Sequence, residues 1–238
     1  MMRDFTEIWS YLAGDPLIWL CATLIAYGIG DAASRAMGRA PWVNPVLVAV
    51  AALGLLLWST GTSYATYFEG AQFVHFLLGP ATVALAIPLW QQRHALRPAL
   101  LPILAALLAG SVTAVLSALA IGHAMGLSPQ LLATLAPKST TAPVALGISE
   151  SLGGSPTLTA VLVILTGIIG AIVVTPLMNA LRIRDWRARG FAVGVAAHGI
   201  GTARALQVNP KAGAFAGIGM ALNAMLTALL APWALGLF

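Results

Sequence analysis

Charge is what this chain has least of. Of its 238 residues only 8% are Asp, Glu, Lys or Arg, whereas 59% are hydrophobic, and the mean hydropathy is +0.90. A soluble domain carries about 25% charged residues. A water-soluble globule is therefore excluded, and an integral membrane protein with room for roughly six to eight helices is predicted. Cysteine is almost absent too. The single Cys21 rules out an intrachain disulfide and reads as a small apolar residue in a helix. The four histidines have no metal-ligand spacing, so neither a metal nor a cofactor is expected. Residues 1–16 lack a cationic n-region and a small-residue cleavage site, so no cleaved signal peptide is expected. The net charge of +5 would suit nucleic acid in a soluble protein. Here the cations flank apolar runs, where they set topology, and no nucleic-acid partner is predicted.

What is present is a series of apolar spans at about 17–36, 43–61, 73–91, 98–121, 157–181 and 212–237. Trp9 and Tyr11 sit in a short lead-in suited to the membrane interface. Asp31 and Arg35 are spaced for an i, i+4 pair. A polar, aromatic stretch, Thr62 to Gln72, reads as a loop. The most cationic connection, Arg182, Arg184, Arg187 and Arg189 against Asp185 alone, follows the fifth span. With the other arginine loops it is expected at the cytoplasmic face of a multi-pass membrane protein.

Two segments break the pattern. Between Arg97 and Arg182 the only formal charges are Lys138 and Glu150, set among prolines, glycines and hydroxyls in Pro-Lys-Ser-Thr-Thr-Ala-Pro and Gly-Ile-Ser-Glu-Ser-Leu-Gly-Gly. A lipid-facing helix does not tolerate this mixture, because irregular backbone at membrane depth must be buried or line a wet cavity. Residues 129–152 therefore read as two short helices around a break. Residues 190–207, with Ala-His-Gly-Ile-Gly-Thr-Ala-Arg, read as a second broken segment. Placing all arginine loops on one side requires each broken segment to cross the membrane zero or two times, which fits re-entrant pairs; full crossings by broken helices remain the alternative. Thr141 to Leu146 (Thr-Ala-Pro-Val-Ala-Leu) echoes Thr202 to Leu206 (Thr-Ala-Arg-Ala-Leu), and the two would run in opposite orientation. The predicted fold is an all-α polytopic membrane bundle, one domain over 1–238, with two broken or re-entrant segments and a possible inverted repeat.

The candidate site residues come from the breaks. A lysine at the centre of a membrane helix costs about 2.5–3.5 kcal/mol on insertion scales, so Lys138 either binds something or snorkels to the interface. Ser139, Thr140 and Thr141 add hydroxyls, and half-helix N-termini add N–H groups, which together suit an anion. Helix capping is the competing use of Ser139 and Thr141. Glu150 is a proton or cation partner, a partner for Lys138, or an interfacial carboxylate. His198 is structural or carries a proton. Thr202 lies between it and Arg204. Arg204 offers a planar fork to a carboxylate, or else touches lipid phosphate. Asn223, alone on the last span, suits an interhelical hydrogen bond. Gly190/Gly194 and Gly213/Gly217 suit close helix contacts, within the chain or between subunits of a homo-oligomer.

Enzyme motifs fail. Gly199-Ile-Gly201 lacks the third glycine and the preceding strand of a dinucleotide fingerprint. Lys138-Ser139 are adjacent, a poor geometry for a nucleophile and its base. No enzyme is predicted.

These residues resemble the LrgB/CidB family of membrane proteins. The resemblance runs from about residue 17 to the C-terminus. It rests on Gly-Ala-Gln at 70–72, Phe-Leu-Leu-Gly-Pro-Ala-Thr-Val-Ala-Leu-Ala-Ile-Pro-Leu at 76–89, Pro-Lys-Ser-Thr-Thr-Ala-Pro at 137–143 and Gly-Ile-Ser-Glu-Ser-Leu-Gly-Gly at 147–154. It continues in Leu-Arg-Ile-Arg-Asp at 181–185 and His-Gly-Ile-Gly-Thr-Ala-Arg-Ala-Leu at 198–206, departing at Asn209-Pro210-Lys211, where more acidic residues are expected. The resemblance implies one of two functions. One is a carrier of small monocarboxylates of the glycolate, glycerate or pyruvate class, as in the similar plastid glycolate/glycerate translocator. The other is antiholin- or holin-like modulation of murein hydrolase activity and autolysis with a small LrgA/CidA-like membrane protein. On the residues alone, the buried cations and hydroxyls favour the carrier. The expected partners are a small carboxylate, an LrgA/CidA-like protein and membrane lipid.

Overall fold

A computed structural model of the protein describes residues 15–77, 80, 83–84, 87, 90 and 100–238. Among these residues there are nine helices and no strand. They are α1 (Pro16–Ala36), α2 (Pro45–Thr60), α3 (Tyr64–Phe76), α4 (Leu100–Ala124), α5 (Pro129–Leu135), α6 (Ala142–Ser151), α7 (Pro156–Ala180), α8 (Trp186–Val208) and α9 (Pro210–Leu235). Their starts follow local rules. The side chains of Asp15, Asn44, Ser128, Ser155, Asp185 and Asn209 accept hydrogen bonds from N–H groups in the first turn. Proline fills the first turn of α1, α2, α5, α7 and α9, where no N–H is needed. Helices α1, α4, α7 and α9 are long and apolar enough to cross a membrane. The predicted lead-in and most of the predicted 73–91 span lie outside the described residues.

The chain divides into two compact units, residues 1–84 and 85–238. In the first, α1 packs against α2 and α3. Thr62–Gln72, expected as a loop, is largely helix α3. The aromatic residues that suggested an interfacial loop instead bind α3 to α1. Tyr67 lies edge-on to the fully buried Trp19 with ring centroids 5.9 Å apart, and its hydroxyl is 3.1 Å from Thr23 Oγ1. Gly70 lets the α3 backbone rest on Pro16 and Trp19. Asp31 and Arg35 pair at 3.3 Å, as their spacing predicts.

The second unit is a bundle of three long helices and two hairpins. Its ends are distinguished by the arginines of 182–189. Near that end Ile103 and Leu107 of α4 pack with Phe191 of α8 and Phe215 of α9. Near the far end Val115 and Leu119 of α4 pack with Leu132 of α5 and Ala231 of α9. Helices α4 and α9 thus run from the arginine end to the far end. Helix α7 runs the other way: its first turn meets Thr134 and Ser149, and its last turn meets Arg189. Apolar side chains such as Leu101 and Leu229 face outward, while Asn223 and Thr227 face inward. That inversion fits lipid, which offers polar groups nothing.

Helix α8 is broken at Ala197 (φ −132°, ψ 17°) and His198 (φ 42°, ψ −132°). Residues 186–196 form α8a and 199–208 form α8b. Gly190 rests on Ala212 and Gly194 on Ala216, so α8a runs parallel to α9. Leu206 packs on Gly213, and Thr202 lies by Met220 further along, so α8b runs antiparallel to α9. The two halves therefore form a re-entrant hairpin from the arginine end, with Gly201 tucked against Val193. Each half rises about 15 Å, half of a bilayer core of roughly 30 Å. The Gly190/Gly194 pair is used within the chain.

Helices α5 and α6 make the opposite hairpin, entering from the far end. Thr159 Oγ1 of α7 donates to Thr134 O at 3.0 Å and accepts from Ser149 Oγ at 2.7 Å, holding the two arms at one level. Gly154 packs on both. The echoed sequences Thr141–Leu146 and Thr202–Leu206 lie on the returning arms and run in opposite directions. The bundle therefore has the two re-entrant segments and the inverted arrangement expected from the sequence.

Candidate functional site: two hairpin tips

The tips are built from residues that cannot continue a helix. On the first hairpin Ala136 to Thr140 form turns. Thr140 Oγ1 donates to Pro137 O at 2.9 Å, and Thr141 takes the N-cap position of α6. The Thr141 side chain makes no cap hydrogen bond, so the first N–H groups of α6 are left open to another acceptor. On the second hairpin His198 takes the left-handed conformation, which strains a non-glycine residue. Thr202 Oγ1 donates to His198 O at 2.7 Å, tying the tip to the first turn of α8b.

Lys138 is half-buried, and its Nζ is 3.4 Å from Ser139 Oγ. His198 is 3% exposed, and its Nε2 is 2.8 Å from Val163 O of α7. A carbonyl only accepts, so Nε2 carries a proton. Ser139, Thr140 and Thr202 are all buried. The structure therefore gathers Lys138, Ser139, Thr140, Thr141, His198 and Thr202 at or beside the tips.

Two predicted residues lie elsewhere. Arg204 is buried on α8b, lining a cavity of about 30 Å³ with Trp186, Arg189 and Ala212 at the arginine end. The break falls at Ala197–His198, not at Gly199 or Gly201, so Arg204 is carried away from the tip by the returning helix. Glu150 is exposed near the far end of α6. Among the described residues no three His, Cys, Asp or Glu side chains gather as a metal site.

One residue that links the tips carried little weight in the sequence. Asn223 of α9 is 1% exposed. Its Nδ2 donates to Ser139 O and to Val195 O, each at 3.1 Å. Its Oδ1 accepts from Ser111 Oγ at 2.6 Å and from Thr227 Oγ1 at 3.3 Å. A lone asparagine in an apolar span was the available signal, but its partners are backbone carbonyls that no residue type announces.

At the arginine end, outside the membrane-spanning segments, the Arg187 side chain and backbone N–H bond Asp185 and hold its carboxyl down to about 2. An apolar groove of about 590 Å³ begins there, at Asp185 and Arg187, and follows α4 and α8a to Val195 and Ala196 beside the tip.

Opposed re-entrant hairpins inside a bundle of long apolar helices make this a multi-pass helical membrane protein of the broken-helix kind. The chain belongs to the LrgB-like family, which matches residues 23–237. It is 35% identical over 198 residues to the holin-like protein CidB of Staphylococcus epidermidis, covering 83% of this chain and 86% of that one. It is 34% identical over the same length and shares to the holin-like protein CidB of Staphylococcus aureus. A protein of Bacillus subtilis, the uncharacterized YxaC, is 36% identical over 198 residues, again 83% of this chain and 86% of the relative. No solved structure matches the chain significantly.

Proposed function

We propose that this chain is a holin-like protein of the bacterial cytoplasmic membrane. In this reading it modulates murein hydrolase activity and autolysis together with a small LrgA/CidA-like membrane protein. The observation that carries the reading is the 34–35% identity, over most of both chains, to proteins named holin-like CidB. The positive-inside rule puts the arginine end in the cytoplasm. The test is deletion and complementation in a host that carries the gene: loss of the chain should change the rate of autolysis, and an unchanged rate with and without the partner refutes the reading.

The geometry favours a second reading, a carrier of small monocarboxylates of the glycolate, glycerate or pyruvate class. What supports it is the meeting of two hairpin tips from opposite ends of the bundle around Lys138. Broken helices that meet at mid-membrane present open N–H groups to an anion. In this reading Lys138 supplies the charge, and Ser139, Thr140 and Thr141 surround it with hydroxyls and the open start of α6. His198 and Thr202 form the facing wall. Arg204 receives the carboxylate at the arginine end, and Glu150 stands at the far mouth. Neither reading involves enzymatic turnover.

One pair of measurements separates the readings. Proteoliposomes holding the full chain should accumulate labelled glycolate or pyruvate, and Lys138→Ala should reduce uptake at least about tenfold, the loss of roughly 1.4 kcal/mol of binding or more. A lysis effect that survives Lys138→Ala in the absence of any uptake refutes the carrier and leaves the holin-like reading.

A further inference from the structure

The two hairpins share one side chain. Asn223 Nδ2 has two hydrogens, and each points to a carbonyl on a different hairpin: Ser139 O on the first and Val195 O on the second. Its Oδ1 is occupied by Ser111 on α4 and by Thr227 one turn along α9. All the capacity of the amide is therefore used, in a site 1% exposed. The amide is also locked in orientation. Turning it over would set Oδ1 against two carbonyls and Nδ2 against the two hydroxyls, losing both links at once.

The acceptors are telling. Val195 O lies at the end of α8a, next to the non-helical Ala197 and His198, and Ser139 O lies within the turn between α5 and α6. Ser139 O takes no hydrogen bond from the turns around it, and Val195 O lies two residues before the change of direction in α8. The same amide thus bonds the backbone at the break of each hairpin and joins the breaks to each other.

We propose that Asn223 is the latch of a gate formed by the two hairpin tips. With both donors engaged, the tips are closed on each other and no path crosses between them. Release of Ser139 O frees the first hairpin, toward the far end. Release of Val195 O frees the second, toward the arginine end. Since one amide holds both, either side can open while the other stays held. The purpose of the gate rests on the carrier reading, but the latch itself is a structural statement and is tested without a substrate.

The test uses the full chain in membrane vesicles with its one cysteine removed, Cys21→Ser. Thr140→Cys reports on the first tip, and Thr202→Cys, in a separate variant, on the second. Both positions are buried. A membrane-impermeant thiol reagent is applied to both faces. With Asn223 in place, both cysteines should label slowly. Asn223→Asp puts a carboxylate oxygen or hydroxyl where two N–H donors were, and labelling at both reporters should rise by about tenfold or more, as expected for losing the hydrogen bonds that hold both tips. Ser111→Ala leaves the amide but removes its best anchor, and labelling should rise about threefold. Retained helical content and a single elution peak establish that each variant is folded; if Asn223→Asp does not fold, Ser111→Ala carries the test alone. A folded variant labelling at the parent rate overturns the latch, whatever the uptake. Faster labelling in a chain that accumulates neither glycolate nor pyruvate upholds the latch and overturns the carrier reading.

Discussion

Two glycines, two residues apart on α9, give opposite expectations for the same substitution. A Cβ added at Gly219 would lie 2.6 Å from Phe191 O and 3.3 Å from Val195 N, both backbone atoms of α8a. A close carbon–oxygen contact is about 3.3–3.6 Å. Helix α8a must therefore retreat by roughly 0.7 Å, because no side chain can swing aside. That retreat stretches the 3.1 Å bond from Asn223 Nδ2 to Val195 O past hydrogen-bond range. Overpacking costs about 1–3 kcal/mol, and the stranded Asn223 N–H, in a site 1% exposed, about 1–3 more. Alanine returns about 1 kcal/mol of helix propensity. The net for Gly219→Ala is a destabilisation of about 1–5 kcal/mol; 2 kcal/mol corresponds to a fall of roughly 4–8 °C in melting temperature for a chain of this size. At Gly217 a Cβ meets nothing within 4 Å. Gly217→Ala should raise stability by up to about 1 kcal/mol. Thermal melts of the detergent-solubilised variants, followed by helical circular dichroism, check both. If Gly219→Ala melts at or above the parent temperature, the α8a backbone does not rest on Gly219 of α9.

Two other perturbations bear on the hairpins and their entry. Thr159→Val removes the hydroxyl that links Thr134 O and Ser149 Oγ, all buried, and should lower stability by about 1–3 kcal/mol in the same melts; an unchanged melt means the first hairpin is not anchored there. Asp185 has a carboxyl held below its ordinary value by Arg187, so the stability it adds is present above about pH 4 and lost as pH falls toward 2. Asp185→Asn should flatten that acid limb of the melting temperature against pH and leave the curve above pH 5 parallel to the parent; an unaltered acid limb refutes the assignment.

How much of this was legible follows from the range of each interaction. The broken segments were legible because Pro137, Pro143, Lys138 and Gly199 conflict with a lipid-facing helix within a few residues of themselves. The helix starts were legible for the same reason: Asn209 before Pro210 and Ser155 before Pro156 are local signals. Helix α3 was misread because Tyr67 and Gly70 reveal their use only against Trp19 and Pro16, some fifty residues earlier. Grouping Arg204 with Lys138 followed from counting polar residues per segment. A hairpin reverses direction, so six residues past the tip lead back toward the end at which it entered.

Composition and the positions of charge, proline and glycine determined that this chain lives in a membrane and that it has two interruptions. Each of those properties can be read from neighbours along the chain. Tertiary structure alone decided that the interruptions enter from opposite ends, and that they meet where one amide on α9 bridges Ser139 O and Val195 O. Hydropathy cannot report that meeting, because the groups involved are main-chain carbonyls, identical at every position until a fold brings two of them to the same side chain.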